Sequence, residues 1–182
     1  MSKDIISTER LLLRPLARGD AEAIAALADN YKVVVMLARL PYPYRIEHAR
    51  EYIALTKERP LDELALALCR KDGAKELIGV ASCERREKGE PPELGYWLGE
   101  PYWGNGYMSE AVKAVVRHAF IAGGHERLVS SCRLQNHASR RVLEKAGFEN
   151  VGEIEIDSLV LEAKVPGHRF ALSRERWKGL AA

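Results

Sequence analysis

Two glycines separated by one residue, Gly104 and Gly106, stand directly before a long helical pattern. In GYMSEAVKAVVRHAFIAGG, residues 106–124, apolar residues recur at spacings of three and four, which indicates a helix with one buried face. Gly123 and Gly124 are typical of the end of such a helix. Glycines at its start predict a backbone that comes very close to another group. That group is a phosphate, another strand, or nothing beyond the turn itself.

The remaining segments predict a mixed α/β chain that forms one domain over residues 1–182. Their order is β-α-α-β-β-β-α-β-α-β-β, and the hairpin signal Lys-Asp-Gly at residues 71–73 predicts an antiparallel run in the middle. Asp20 and Asn136 are expected to cap helices, and Gly147 is expected to end one. The predicted strands span residues 10–16, 63–71, 75–85, 93–99, 127–134, 148–156 and 168–174, and the predicted helices span residues 21–27, 46–59, 106–124 and 136–147.

Composition places the chain among ordinary globular proteins. Hydrophobic residues make up 47% and charged residues 30% of the 182 residues, and this length is sufficient for one core. Lys and Arg number 28 against 26 Asp and Glu, so the net charge of +2 is too small to indicate a nucleic-acid partner. No apolar run approaches the about 20 residues that span a bilayer, and residues 1–16 lack the pattern of a secretory signal. We therefore expect a cytoplasmic chain without a membrane partner.

The cysteines indicate free thiols and not a metal or redox centre. Cys69, Cys83 and Cys132 lie far apart in strand-like runs, and no C-x-x-C motif occurs. The five histidines are equally scattered and show no metal-ligand spacing. We expect reduced, buried thiols and no bound metal.

The glycine pair is compatible with more than one function. A dinucleotide fingerprint would place its third small residue at Ser109 and would belong in an opening βαβ unit, whereas this stretch follows a run of strands. The phosphate loop G-x-x-x-x-G-K-[ST] does not occur. Two interpretations remain open on this stretch alone: a plain turn, or a loop whose unpaired N–H groups bind a pyrophosphate at a helix N-terminus.

A second stretch, NHASRRVLEKAGF at residues 136–148, accompanies LGYWLGEPYWGNGYMSEAV at residues 94–112. They occur in order with ERLLLRPL near the start, PYP before the second helix, IG in the third strand and R-E-R-W near the end. In this combination the chain resembles the GNAT acyltransferase superfamily, in the branch of the RimJ/RimL-type ribosomal-protein N-acetyltransferases. The resemblance implies the GNAT fold, with a central, mostly antiparallel sheet flanked by helices. It also implies acetyl-CoA as co-substrate, no metal, and direct acetyl transfer to a primary amine in a ternary complex.

The resemblance implies where the coenzyme would bind. The family loop Q/R-x-x-G-x-G/A corresponds to residues 103–108, and the pyrophosphate is expected on the N–H groups of roughly residues 104–109. Trp103 replaces the usual Gln or Arg, and Met108 stands where a smaller residue is usual. The hydroxyl of Ser109 is expected to add a hydrogen bond. The implied loop residues are Trp103, Gly104, Asn105, Gly106, Tyr107, Met108 and Ser109.

The resemblance also implies the residues that carry the chemistry. The strand ELGYWLG is expected to run beside the pantetheine, with a bulge that directs the N–H of Trp97 or Leu98 at the thioester carbonyl. Glu93 is the implied general base, directly or through water, and the alternative is a solvated carboxylate at a strand edge. Asn136 is implied to bind the pantetheine and Ser139 to protonate the departing thiolate. For both residues the alternative is helix capping alone.

Several alternatives stay open at this point. The acceptor is either the N-terminal α-amine of a protein or a small-molecule amine, and Tyr42 and Tyr44 fall where the family's acceptor loop lies. A non-catalytic acyl-CoA-binding or regulatory module of the same fold is the alternative to an enzyme, because of Met108 and the undecided base. A nucleotide-dependent oxidoreductase is disfavoured by the fingerprint mismatch. A homodimer is compatible with the sequence as the commonest assembly.

Overall fold

The computed structural model describes residues 5–72 and 76–181. The strands are β1 (Ile6–Ser7), β2 (Leu11–Pro15), β3 (Leu64–Arg70), β4 (Leu77–Glu84), β5 (Glu93–Leu98), β6 (Arg127–Arg133), β7 (Glu149–Ser158) and β8 (Ala163–Ser173). The helices are α1 (Ala21–Ala28), α2 (Tyr31–Val34), α3 (Ile46–Thr56), α4 (Tyr107–Ile121), α5 (His137–Lys145) and α6 (Arg174–Ala181). Short 3₁₀ turns at Arg18–Asp20 and Glu100–Tyr102 precede α1 and follow β5.

These strands form one sheet in the order β1-β2-β3-β4-β5-β6-β8-β7. Neighbouring strands are antiparallel, except that β5 and β6 are parallel. Helices α1 and α3 pack on one face of the sheet, and α4 and α5 pack on the other. The predicted class, a mixed α/β chain with a central, mostly antiparallel sheet flanked by helices, is therefore confirmed.

Burial on both faces explains the continuous apolar run of β3. Leu64, Leu66 and Leu68 pack with α4, whereas Ala65 and Ala67 pack with α1 and α3. Successive side chains of a strand point to opposite faces, so a strand covered on both sides needs an apolar residue at every position. The large residues face the long helix, and the small residues let α1 and α3 approach closely.

The strands and helices predicted from the sequence are present, and three further elements were not predicted: β1, α2 and α6. Helix α6 packs on the core because Trp177 lies against Phe120, with ring centroids 5.3 Å apart. A local pattern does not show this long-range contact. Gly73, in the predicted hairpin turn, lies outside the described residues, but β3 and β4 on either side of it do pair antiparallel.

The three expected helix-terminal residues behave differently. The side chain of Asn136 accepts a hydrogen bond from the Ser139 N–H at 3.0 Å, and Gly147 follows the C-cap residue Ala146 of α5 with a φ of 94°, so both predictions are confirmed. Asp20 precedes α1, but its side chain does not cap the helix. It accepts from the Ala17 N–H at 2.7 Å and pairs with both terminal nitrogens of Arg14 at 2.7 and 2.8 Å. The Arg14 guanidinium neutralises the buried charge of the Asp20 carboxylate, and this ion pair takes the place of a helix cap.

Candidate active site

A groove of about 1130 Å³ lies where β5 and β6 separate. The two strands pair at one register position only, Glu93 with Val129. The Ser130 hydroxyl donates to the Leu94 carbonyl at 2.8 Å just beyond it. Farther along, residues 95–98 and 131–133 line opposite walls of the groove. The edge of β5 is thus left free in the middle of the sheet.

The direction of the backbone amides shows which N–H group of β5, that of Trp97 or that of Leu98, points into this groove. The Gly99 N–H donates to the Ile78 carbonyl of β4 at 2.9 Å, and amide direction alternates along a strand. The N–H of Trp97 therefore points at β4, and the N–H of Leu98 points into the groove. The expected bulge is wrong, because the β4–β5 register is continuous from Glu93 to Leu98. The separation of β5 from β6 exposes the amide without a bulge.

Six consecutive amides are free where the chain enters α4. Within residues 5–72 and 76–181, the N–H groups of residues 104–109 have no acceptor. Gly104 and Gly106 both have a φ of 78°, a conformation that glycine adopts without strain. Unpaired N–H groups and the positive end of the helix dipole together attract anions. The loop therefore has the properties that a diphosphate requires.

The loop side chains hold its shape. Trp103 donates from its indole nitrogen to the Leu98 carbonyl at 2.7 Å, which ties the loop to the end of β5. Asn105 folds back and donates to the carbonyls of Tyr102 and Trp103. The side chain of Met108 is buried in the core, so its size does not obstruct the loop.

The loop residues differ in their position relative to the groove. Four of the seven predicted ones line it, namely Trp103, Gly104, Met108 and Ser109. The other three, Asn105, Gly106 and Tyr107, do not.

Arg10 braces the same loop, a role that the sequence analysis did not identify. Its guanidinium donates to the Asn105 carbonyl at 2.9 Å, lies over the Tyr107 ring at 4.7 Å and pairs with Glu110 at 2.7 Å. Although burial raises it, hydrogen bonds from Thr8 and Arg10 hold the pKa of the Glu110 carboxyl below its ordinary value. The residues before β2 are thus joined to the first turn of α4. The only sequence signal for this contact is the position of Arg10 in ERLLLRPL.

Tyr96 links β5 to the start of α5. Its hydroxyl lies 2.9 Å from the hydroxyl of Ser139 and 3.2 Å from the Ser139 carbonyl oxygen. Burial raises the pKa of the Tyr96 phenol well above its ordinary value, so the group stays protonated and can donate. Ser139 and Asn136 both line the groove. The Ser139 hydroxyl is therefore held by Tyr96 and is not used to cap the helix.

Glu93 lies at the other end of β5, and its side chain is only 13% exposed. One oxygen, Oε1, accepts from Ser131 Oγ at 3.1 Å and from Arg169 at 3.2 Å. The other oxygen, Oε2, accepts from Arg86 Nε at 2.5 Å. The carboxylate is thus not the solvated strand-edge group of the alternative interpretation. Since it offers about four lone pairs and three are occupied, one acceptor site remains on Oε2.

These groups lie on two faces of the sheet. Leu94, Tyr96 and Leu98 pack with α4 and α5, whereas Trp97 packs with α1 and α3. By the alternation of a strand, Glu93 shares the face of Trp97. The groove therefore connects the sheet face that carries the hydroxyls of Tyr96 and Ser139 to the opposite face, which carries the Glu93 carboxylate.

Residues 31–39 cover the carboxylate face, which the sequence analysis did not predict. Arg133 of β6 donates to the Val35 carbonyl, and the Leu159 N–H donates to the Ala38 carbonyl at 2.8 Å. The two tyrosines of the predicted acceptor loop do not line the groove: Tyr44 is buried in the core, and Tyr42 is exposed against Tyr31. Tyr31 does line it.

The three cysteines are free and buried, as predicted. Cys132 lines the groove beside Ser139. Burial raises the pKa of its thiol, while the hydrogen bond with Ser139 acts in the opposite direction. A protonated thiol is a poor nucleophile, so the site offers no cysteine suited to carry an acyl group.

Two absences hold for the described part of the chain. It contains no group of three or more His, Cys, Asp or Glu residues placed to hold a metal ion. Among residues 5–72 and 76–181, every helix is too short or too polar to cross a membrane.

Comparison with known proteins agrees with this geometry. A family model described as an acetyltransferase (GNAT) domain matches residues 10–149. The uncharacterized N-acetyltransferase YoaA of Bacillus subtilis is 34% identical over 153 residues, which cover 81% of this chain and 84% of that protein. The ribosomal-protein-serine acetyltransferase of Escherichia coli is 40% identical over 74 residues, 40% of this chain and 41% of that protein.

A solved structure of RimL with coenzyme A has a TM-score of 0.78 and 23% identity, and the match covers 93% of this chain and 98% of that one. This likeness concerns the fold. The family model spans more than half of the chain, and the relative YoaA matches over most of both sequences. The chain therefore belongs to the GNAT acetyltransferase family and is an acetyl-CoA-dependent N-acetyltransferase.

Proposed function

We propose that this protein transfers the acetyl group of acetyl-CoA to the N-terminal α-amine of a peptide or protein. The observation that carries the proposal is the groove that crosses the sheet where β5 and β6 separate. One side of it offers free amides for a diphosphate and a free strand edge for the pantetheine. The other side offers a carboxylate at the end of β5 for the acceptor.

The coenzyme would bind through the backbone. The N–H groups of residues 104–109 would hold the pyrophosphate, with Ser109 adding its hydroxyl. The pantetheine would lie along the open edge of β5 as an added strand, and the Leu98 N–H would donate to the thioester carbonyl oxygen. The side-chain nitrogen of Asn136 would donate to the pantetheine, because only its oxygen is used in the cap.

Direct attack in a ternary complex accounts for the rest of the chemistry. The neutral amine nitrogen forms a bond to the carbonyl carbon, the carbon–sulfur bond breaks, and the electron pair leaves on sulfur. Glu93 would take the proton of the acceptor ammonium at its remaining Oε2 site, directly or through water. The Ser139 hydroxyl would give a proton to the departing thiolate, and the second proton that the amine nitrogen loses on becoming an amide would restore that hydroxyl through water. A thioester is already activated, so positioning and hydrogen bonds can supply most of the acceleration.

A peptide acceptor is favoured over a small amine by two observations. Beyond the carboxylate the groove continues between residues 31–39 and residues 154–157 of β7, so there is space for more than the amine itself. A relative that matches 40% of this chain acts on a ribosomal protein, according to its name. A small-molecule amine remains the alternative acceptor.

Tyr96 provides a test of the proton-donor side. Tyr96→Phe removes the hydroxyl 2.9 Å from Ser139 and is expected to lower kcat by about two- to tenfold, the worth of one hydrogen bond. Ser139→Ala is expected to lower kcat further. If Tyr96 acts through Ser139, the double variant should be no slower than Ser139→Ala alone. Steady-state kinetics of the four proteins measure this, and additive losses would contradict the proposed path.

The function itself is tested by thiol release. Acetyl-CoA is mixed with peptides that begin with serine or alanine, with the same peptides blocked at the α-amine, and with a polyamine. We expect release of free coenzyme A only with an open α-amine, and a mass increase of one acetyl group on the peptide. If only the polyamine is acetylated, the acceptor is a small amine and not a peptide. Tight binding of acetyl-CoA without turnover of any of these amines would contradict the proposed peptide acceptor and point to an amine of another class.

A further inference from the structure

Two guanidinium groups converge on Glu93 from different elements. Arg86 comes from the loop after β4 and uses Nε, and Arg169 comes from β8 and uses one terminal nitrogen for both Glu93 and Ser131. A guanidinium carries five N–H donors, so each group keeps several for another acceptor. Both side chains are about one third exposed, at 36% and 32%, and both line the groove.

The charge at this end of the groove is positive. Arg86 also lies 3.8 Å from Glu84, which pairs with Arg59, so the connected group of three guanidiniums and two carboxylates carries a net charge of one positive unit. Arg133 adds another and lies on the same face of the sheet, two residues from Ser131. The other carboxylates that line the groove, Glu155 and Asp157, belong to the exposed edge strand β7, and Glu155 pairs with Lys164 at 3.5 Å. An acceptor with several positive charges is therefore disfavoured next to Glu93.

We propose that Arg86 and Arg169 recognise a carboxylate that the acceptor carries close to its reacting amine, so that peptides with an acidic second residue are preferred. This inference rests on the proposed function. With the amine on Oε2 of Glu93, the free guanidinium donors lie on the order of 6–8 Å from the amine, from hydrogen-bond lengths of about 3 Å. The side chain of a second residue spans that distance. Guanidinium and carboxylate groups match in charge and in planar geometry.

The test uses two peptides that differ in one residue. Each has six residues, begins with serine and is otherwise uncharged, with Asp in one and Asn in the other at the second position. We expect kcat/KM of the wild-type enzyme to favour the Asp peptide by about tenfold or more. Arg169→Met is expected to reduce this ratio to within about twofold, and Arg86→Gln is expected to reduce it as well.

Arg127→Met is the matched control. Arg127 lies on the same face of β6, is exposed and does not line the groove, so its replacement should leave the ratio at the wild-type value. Thermal unfolding and acetyl-CoA affinity show that each variant is folded. Equal turnover of both peptides by the wild type, or an undiminished ratio in Arg169→Met, would overturn this inference alone. Absence of turnover with either peptide would overturn the proposed function together with it.

Discussion

Replacing Glu93 with glutamine is expected to lower kcat by about a hundredfold or more, the usual contribution of a general base. Glutamine keeps the shape, and its single amide oxygen can still accept from one of the two arginines, whereas its NH2 group is a donor and cannot take a proton. The loss should be largest below pH of about 8, where an α-amine arrives as an ammonium ion. The affinity for acetyl-CoA should change little, because Glu93 lies on the face of the sheet opposite α4 and α5. The pH dependence of kcat and calorimetry with acetyl-CoA measure the two effects.

A second carboxylate separates catalysis from the loss of an ion pair. Glu149 of β7 pairs with Arg176 at 3.0 Å and does not line the groove. Glu149→Gln breaks an exposed carboxylate–arginine pair and should leave kcat and its pH dependence unchanged. If the pH profile of Glu93→Gln equals that of the wild type, Glu93 is not the base and serves only to hold the two arginines.

Replacing Gly106 with valine is expected to weaken acetyl-CoA binding by about tenfold or more, the worth of one hydrogen bond to a charged group. Gly106 has a φ of 78°, and a β-branched residue is strained there by about 1–2 kcal/mol. The nearest atom to an added Cβ would be Arg10 Nη2 at 3.5 Å, so the effect comes from the backbone and not from a collision. If the backbone at residue 106 relaxes to relieve this strain, the free N–H groups of residues 104–109 no longer point at one common site. Calorimetric titration with acetyl-CoA measures the change in Kd.

Gly89 provides the control for backbone strain. It has a φ of 95°, lies in the exposed loop between β4 and β5, and has no atom near an added Cβ among the described residues. Gly89→Val should lower the melting temperature to a similar extent but leave the Kd for acetyl-CoA unchanged. An unaltered Kd in Gly106→Val would mean that the diphosphate binds elsewhere.

The sequence patterns predicted most elements because each depends on neighbouring residues. Apolar spacing located α4, and side-chain capping located the start of α5 at Asn136. The resemblance to the family also rested on short motifs, each of which involves only residues close together in sequence. Asp20 is the exception among the local signals, since a guanidinium six residues earlier took the hydrogen bonds that a cap would have used.

The candidate site depended more on contacts that are distant in sequence. Arg10 reaches Glu110, Tyr96 reaches Ser139, and Glu93 meets Arg169. No spacing rule connects residues so far apart, so Arg10, Tyr96 and both arginines around Glu93 were missed. The choice between the amides of Trp97 and Leu98 likewise required the strand register.

The amino-acid sequence alone determined that this chain is a mixed α/β protein with two glycines at the start of a long helix. These features arise from the periodicity of apolar residues and from local backbone preference. Only the tertiary structure decided that β5 and β6 separate, that the groove passes from one face of the sheet to the other, and that Glu93 lies between two guanidinium groups. The physical reason is that strand separation and ion pairing are set by packing between residues tens of positions apart, where burial and charge act through space and not along the chain.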